Sequence, residues 1–234
     1  MLALLPHGTT NMTAADLGFR IRSVEAQAQF LADPRPRILR ARPTLRVVNP
    51  RDGRPRHGMF LGTGAVSAAT LSSQRAFNAR GIGGNWAPFA TLAGAVARTM
   101  FVPANPADRS RVDRPYPIAI EADGRSMAGG DQLLMLSTTL EKLILGAKPF
   151  WGGGPGPIRT SVIPYPVPSI VRWLLPIMYG GENRKVPPGA ASFSSAGLAV
   201  RTPVTFVIDG EFFEPPEHEA LRIETGPVFT YICG

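Results

Sequence analysis

Apolar and polar positions change rhythm after about residue 35. Leu2 to Leu5 form a short apolar run closed by Pro6, and Gly8-Thr-Thr-Asn11 reads as a turn. Ala14, Leu17, Ile21, Val24, Ala28 and Leu31 then recur at three- and four-residue spacing, which predicts one helix over 14–32. Thr13 is placed to cap that helix, with Asp16 three residues on as a variant capping box, and Pro34 and Pro36 end it. From residue 37 the runs are shorter. Strands are predicted over 37–48, 59–65, 116–121, 132–137, 193–202, 204–208, 220–223 and 228–233. Residues 68–100 read as mostly helical around Gly81-Ile-Gly-Gly, and 169–178 as a short apolar helix. Asp-Gly pairs at 52–53, 123–124 and 209–210 mark tight turns.

The predicted fold is therefore α+β. An antiparallel β-sandwich over 37–234 follows a strand–loop–helix unit over 1–36 that belongs, by pattern, to an α/β domain. One βα unit cannot cover itself, because parallel sheets are buried on both faces. The opening unit is thus expected to be the tail of a larger domain. A fragment, a late start or a second polypeptide would each account for it, and Leu2–Leu5 alone would be an unpaired apolar strand.

Composition narrows the classes. Gly (25) and Pro (24) are too frequent for a helix bundle, while 44% hydrophobic residues exclude a disordered chain. Cys233 is the single cysteine, which excludes a disulfide framework and a Cys-based zinc site. The opening residues lack the basic stretch of a signal peptide, and 162–179 is broken by four prolines and Arg172, a poor membrane span. A cytoplasmic location is expected. The +8 formal charge suits an anionic partner such as nucleotide phosphates or an anionic bilayer, although an Arg-rich surface alone would account for it. The basic residues are scattered rather than interleaved with aromatics, so no nucleic-acid partner is expected.

The most informative stretch is Pro6-His-Gly-Thr-Thr-Asn11. A Gly after a strand lets the backbone turn sharply, and amides at the next helix start favour an anion. Gly8, Thr9, Thr10 and Asn11 are therefore candidate phosphate or nucleotide contacts; an ordinary polar loop is the other reading. Late in the chain, Asp209 and Glu211 flank Gly210 after the apolar run 204–208. Phosphoryl transfer needs charge neutralisation by Mg²⁺ and a group that accepts or orients the acceptor proton. Two acids around one Gly could supply both, and a solvated hairpin turn would look the same.

These segments together resemble the diacylglycerol kinase catalytic family, which includes bacterial lipid kinases and sphingosine kinases. Pro6-His-Gly-Thr-Thr-Asn resembles its Pro-x-Gly-Thr-x-Asn segment, Phe150-Trp-Gly-Gly-Gly its Gly-Gly-Gly loop, and Val207-Ile-Asp-Gly-Glu its late Asp-Gly-Glu signature. Gly62-Thr-Gly-Ala and Asp123-Gly124 fall where the family has a small-residue strand and a mid-sandwich turn. The resemblance implies ATP and Mg²⁺ as cofactors and transfer of the γ-phosphate to a lipid hydroxyl, diacylglycerol above all. It also implies that 1–36 is the remnant of an α/β nucleotide-binding domain, with Gly8–Asn11 at the nucleotide, Asp209 as acceptor base and Glu211 as Mg²⁺ partner. Three departures stand out. The family's Gly-Gly-Asp-Gly-Thr is absent, Met12 replaces a common Asp, and the segment after Gly154 lacks the family's acids, which puts a structural metal there in doubt. A non-catalytic nucleotide- or lipid-binding module, a sphingoid-base kinase and an NAD kinase-like enzyme remain open alternatives.

Trp173, Leu174 and Met178, in the apolar stretch with Arg159 and Arg172, are expected to face lipid, the other reading being sandwich core. The expected partners are ATP, a lipid substrate at the inner membrane surface and, as an option, a second copy of the chain.

Overall fold

A computed structural model describes residues 2–4, 11–19, 23–32, 38–80 and 112–233. Two mostly antiparallel sheets face each other. The first contains β2 (Ile38–Val47), β3 (Arg56–Gly58), β6 (Ala119–Ala122), β7 (Arg125–Ala128), β11 (Gly197–Arg201) and β14 (Leu221–Cys233), in the order β3-β2-β14-β11-β6-β7. The second contains β4 (Phe60–Gly64), β8 (Asp131–Thr138), β9 (Ile158–Pro164), β10 (Ala191–Ser195), β12 (Phe206–Ile208) and β13 (Glu211–Phe213), in the order β10-β9-β8-β4-β12-β13, with β5 (Tyr116–Pro117) beside β8.

Alternation fills the space between the sheets. Leu45 and Val47, Ile120 and Ala122, Leu198 and Val200, and Leu221 and Ile223 point inward from the first sheet. Leu133 and Met135, Ile158 and Val162, and Phe206 and Ile208 meet them from the second. Each pair is spaced by two residues or four, the period that puts side chains on one face of a strand.

Several predicted strands divide or merge. The run 116–121 becomes β5 and β6, which lie in different sheets with buried Ile118 between them. Likewise 193–202 becomes β10 and β11, and the chain changes sheet at Ala196. The opposite happens at the end, where 220–223 and 228–233 are one long strand, β14, whose register shifts between Thr225 and Val228 around Gly226-Pro227. β9 was not predicted; its buried run Ile158–Ile163 hardly alternates, which blurs the strand signal.

The single helix predicted over 14–32 is two helices, α1 (Met12–Leu17) and α2 (Val24–Ala32). Gly18, at φ 78°, closes α1 by donating its N–H to the carbonyls of Ala14 and Ala15. The capping box is not formed either. The N-cap is Asn11, without a side-chain cap bond, and Asp16 is buried against other partners. α3 (Ala65–Arg80) follows β4 directly, and α4 (Ile170–Tyr179) covers the predicted apolar helix. Predictions over 81–111 lie outside the described residues.

The opening strand β1 (Leu2–Ala3) is not left unpaired. It runs parallel to the end of β14, with Leu2 opposite Tyr231 and Ala3 opposite Ile232. α1 is fastened beside it. The Asp16 carboxylate accepts bonds from Arg42 Nε (2.9 Å) and from the amides of Glu141 and Lys142 (3.0 Å each). Around this joint Leu17, Met59, Leu140, Leu143, Ala147, Tyr231 and Cys233 form a second apolar cluster, with Met12, Phe60, Phe150 and Met178 at its margin.

Candidate active site

β12 and β13 are joined by a two-residue turn at Asp209-Gly210. Both residues have positive φ (46° and 100°), the conformation for which an Asp-Gly hairpin is suited. Asp123-Gly124, between β6 and β7, has the same backbone, with φ of 48° and 75°. The two turns differ in what their acids touch. The Asp123 carboxylate accepts no hydrogen bond among the described residues, whereas that of Asp209 is turned back onto the protein.

The amide of Met59 donates to Asp209 Oδ2 and that of Phe60 to Oδ1, both at 2.9 Å. The Asp209 amide in turn donates to the Phe60 carbonyl at 3.0 Å. The carboxylate therefore sits at the junction of β3 and β4. Room for it depends on Gly58, because a Cβ there would stand 2.7 Å from Asp209 Oδ2 and 2.3 Å from Ile208 Cγ2. Gln74 of α3 donates to the Gly210 carbonyl at 3.0 Å and steadies the turn from the other side.

Burial raises the Asp209 pKa above the usual carboxylate range. The two amide bonds oppose that rise and the nearby charge of Glu211 adds to it. Burial, with the Asp209 charge behind it, also pushes the Tyr231 phenol up. Glu211, opposite Ile208 across the hairpin, is exposed, and its carboxylate makes no hydrogen bond or ion pair among the described residues. One carboxylate is thus fixed and destabilised as an anion, and its neighbour is free to meet a ligand.

Of the predicted nucleotide contacts, Gly8, Thr9 and Thr10 lie outside the described residues. Asn11 stands at the head of α1 with φ 44°; its carbonyl accepts from Ala15, and its side chain makes no bond among the described residues. The next residue, Met12, packs in the cluster that contains Met59 and Phe60, the residues whose amides hold Asp209. The end of the opening motif and the Asp-Gly-Glu turn thus border one apolar cluster. Sequence reasoning passed over Gly58, Met59 and Phe60, because two of the three act through backbone groups that carry no side-chain signature.

The Gly152-Gly-Gly loop lies flat on β10. A Cβ on Gly152 would come within 1.6 Å of the Ser192 carbonyl oxygen, and one on Gly154 within 1.7 Å of that of Ser194. Among the described residues no group of three or more His, Cys, Asp or Glu side chains could hold a metal ion. A Mg²⁺ carried by nucleotide phosphates needs less, only one or two protein carboxylates, and the exposed carboxylate of Glu211 fits that smaller donor set.

The residues expected to face lipid divide along α4. Met178 packs on the second apolar cluster, and Trp173 and Leu174 are half-buried, with Trp173 Nε1 donating to the Pro168 carbonyl at 3.2 Å. The large apolar side chains most exposed on α4 are Leu175 and Tyr179 instead.

Neither a protein-family model nor a curated protein sequence matches the chain. Its fold does match solved structures. Two are described as a "putative diacylglycerol kinase" from Bacillus anthracis str. Sterne, at TM-scores of 0.58 and 0.59 and identities of 14% and 15%. A third, a diacylglycerol kinase of the same organism, gives 0.53 and 13%. Each match covers 100% of this chain and 67–69% of the other. The chain has the fold of these bacterial lipid kinases. Within that fold it contains the C-terminal β-sandwich, and no described helix is long and apolar enough to cross a membrane.

Proposed function

We propose that this chain provides the acceptor side of an ATP-dependent lipid kinase, which moves the γ-phosphate of ATP to a lipid hydroxyl, diacylglycerol in the first instance. The observation that carries the proposal is the held carboxylate of Asp209 beside the free carboxylate of Glu211, on the fold of the solved diacylglycerol kinases. Asp209 accepts the proton of the attacking hydroxyl. Its raised pKa makes it a stronger base than an exposed Asp, and the amides of Met59 and Phe60 keep it oriented. Glu211 is the residue that would hold Mg²⁺, which neutralises phosphate charge when bound. Asn11 and the preceding Gly8-Thr-Thr line the nucleotide, where a turn before a helix start favours anions.

The test is transfer of label from radiolabelled ATP to diacylglycerol, with sphingosine and NAD as competing acceptors. Asp209→Asn keeps the shape of the side chain and one of its two acceptor oxygens and removes the base, so activity should fall by about 10²–10⁴-fold. Full activity in that variant would remove Asp209 from the role. The second reading is a binding module without turnover. It is favoured by the lack of acids after Gly154 and of a three-ligand metal group among the described residues. Nucleotide binding with no transfer to any acceptor would select it.

A further inference from the structure

We infer that the outer face of α4, with the neighbouring turn at Leu145, is a docking surface for an anionic phospholipid bilayer. No residue of α4 is fully buried. Ile170 and Ile177 pack on the main core and Met178 on the second cluster, which fixes the inward side. Arg172, Leu175 and Tyr179, at i, i+3 and i+7, face outward. Leu175 is 69% and Tyr179 52% exposed. Leu145, 70% exposed, stands on a turn bound to the same helix. The Lys148 amide donates to the Met178 carbonyl at 2.8 Å. Arg184 donates to the carbonyls of Ile177, Lys148 and Phe150, which locks helix and turn into one platform.

Charge identifies the occupant. Arg172 on α4, Lys148 on the turn segment and Lys185 after the helix are exposed, and none has an ion pair among the described residues; the Arg172 guanidinium lies over the Trp173 ring at 5.2 Å, and Glu182 is an exposed acid on the segment after α4. Apolar and aromatic side chains between unpaired cations match an anionic interface, where the former enter the headgroup boundary and the latter meet lipid phosphates. A helix of ten residues, about 15 Å long, lies on such a surface and does not span it.

The test is co-sedimentation of the full chain with vesicles of phosphatidylcholine containing phosphatidylglycerol, against vesicles of phosphatidylcholine alone. No nucleotide is present, so failure of the kinase proposal leaves this measurement unaffected. The chain should pellet with the anionic vesicles and stay largely free with the neutral ones. Leu175→Ser with Tyr179→Ser changes exposed side chains only, and should weaken binding about tenfold or more. Arg172→Gln and Lys185→Gln should each weaken it about fivefold, while Arg54→Gln, at the distant turn before β3, should leave it unchanged. Equal binding to both vesicle types, or binding that survives the Leu175/Tyr179 change, would overturn the inference. So would a change from dimer to monomer in that variant with vesicle binding intact, because the face would then join two copies of the chain.

Discussion

Asp16 and Arg42 meet at 2.9 Å, with the carboxylate fully buried, and so tie α1 to β2. A buried pair of this kind is costly to break from one side, because the survivor is left without its counter-charge. Arg42→Ala should therefore destabilise the chain by about 3 kcal/mol, partly eased by the two amides that still bond Asp16. Asp16→Asn should cost less, since Arg42 retains Glu141 at 3.0 Å. Urea unfolding of the two variants measures the difference.

Asp209 gives a pH prediction with a definite sign. Its folded pKa is raised, so it keeps its proton to a higher pH than a free Asp, whose pKa is about 4. Kinase activity should then fall as pH drops through a value above the ordinary carboxylate range. Removing the like charge with Glu211→Gln should shift that acid limb to lower pH. Stability should run the opposite way. As pH rises from about 4 to the folded pKa, the unfolded chain loses this proton first, so the contribution of Asp209 to folding declines across that window. A pH–rate profile, with carbon NMR titration of the Asp209 carboxyl, reads both.

Gly58→Ala should displace the base without touching it chemically. The added methyl would overlap Ile208 and the Asp209 carboxylate, so the bonds to Met59 and Phe60 cannot both persist. Activity should fall by about tenfold or more, the scale on which small misplacements act. Thermal unfolding separates this from general collapse: a stable, slow variant is the expected outcome.

Gly152→Ala should be among the most damaging single-methyl changes. Its Cβ would meet the backbone of Ser192, which belongs to a paired strand and cannot step aside. Destabilisation of about 3 kcal/mol or more is expected, measured by urea unfolding.

Much of the sandwich was legible because alternation and Asp-Gly turns are local signals. β2, β4 and β8 lie close to where they were predicted. Signals failed where tertiary structure made the decision. The run 193–202 contains no Pro and no Asp-Gly turn to mark a break, and only its partners show that the chain changes sheet at Ala196. Asp16 read as a helix cap because sequence spacing cannot reveal Arg42 and the amides of 141–142 as better partners. At the candidate site the acids were visible, but the amides that aim Asp209 were not.

The pairing of Leu2 with Tyr231 bears on how the molecule is made. On the ribosome β1 is made well before its partner β14, with its amides and carbonyls open to strangers in the meantime. Nascent chains halted shortly before Tyr231 should accordingly be the ones that chaperones hold most tightly.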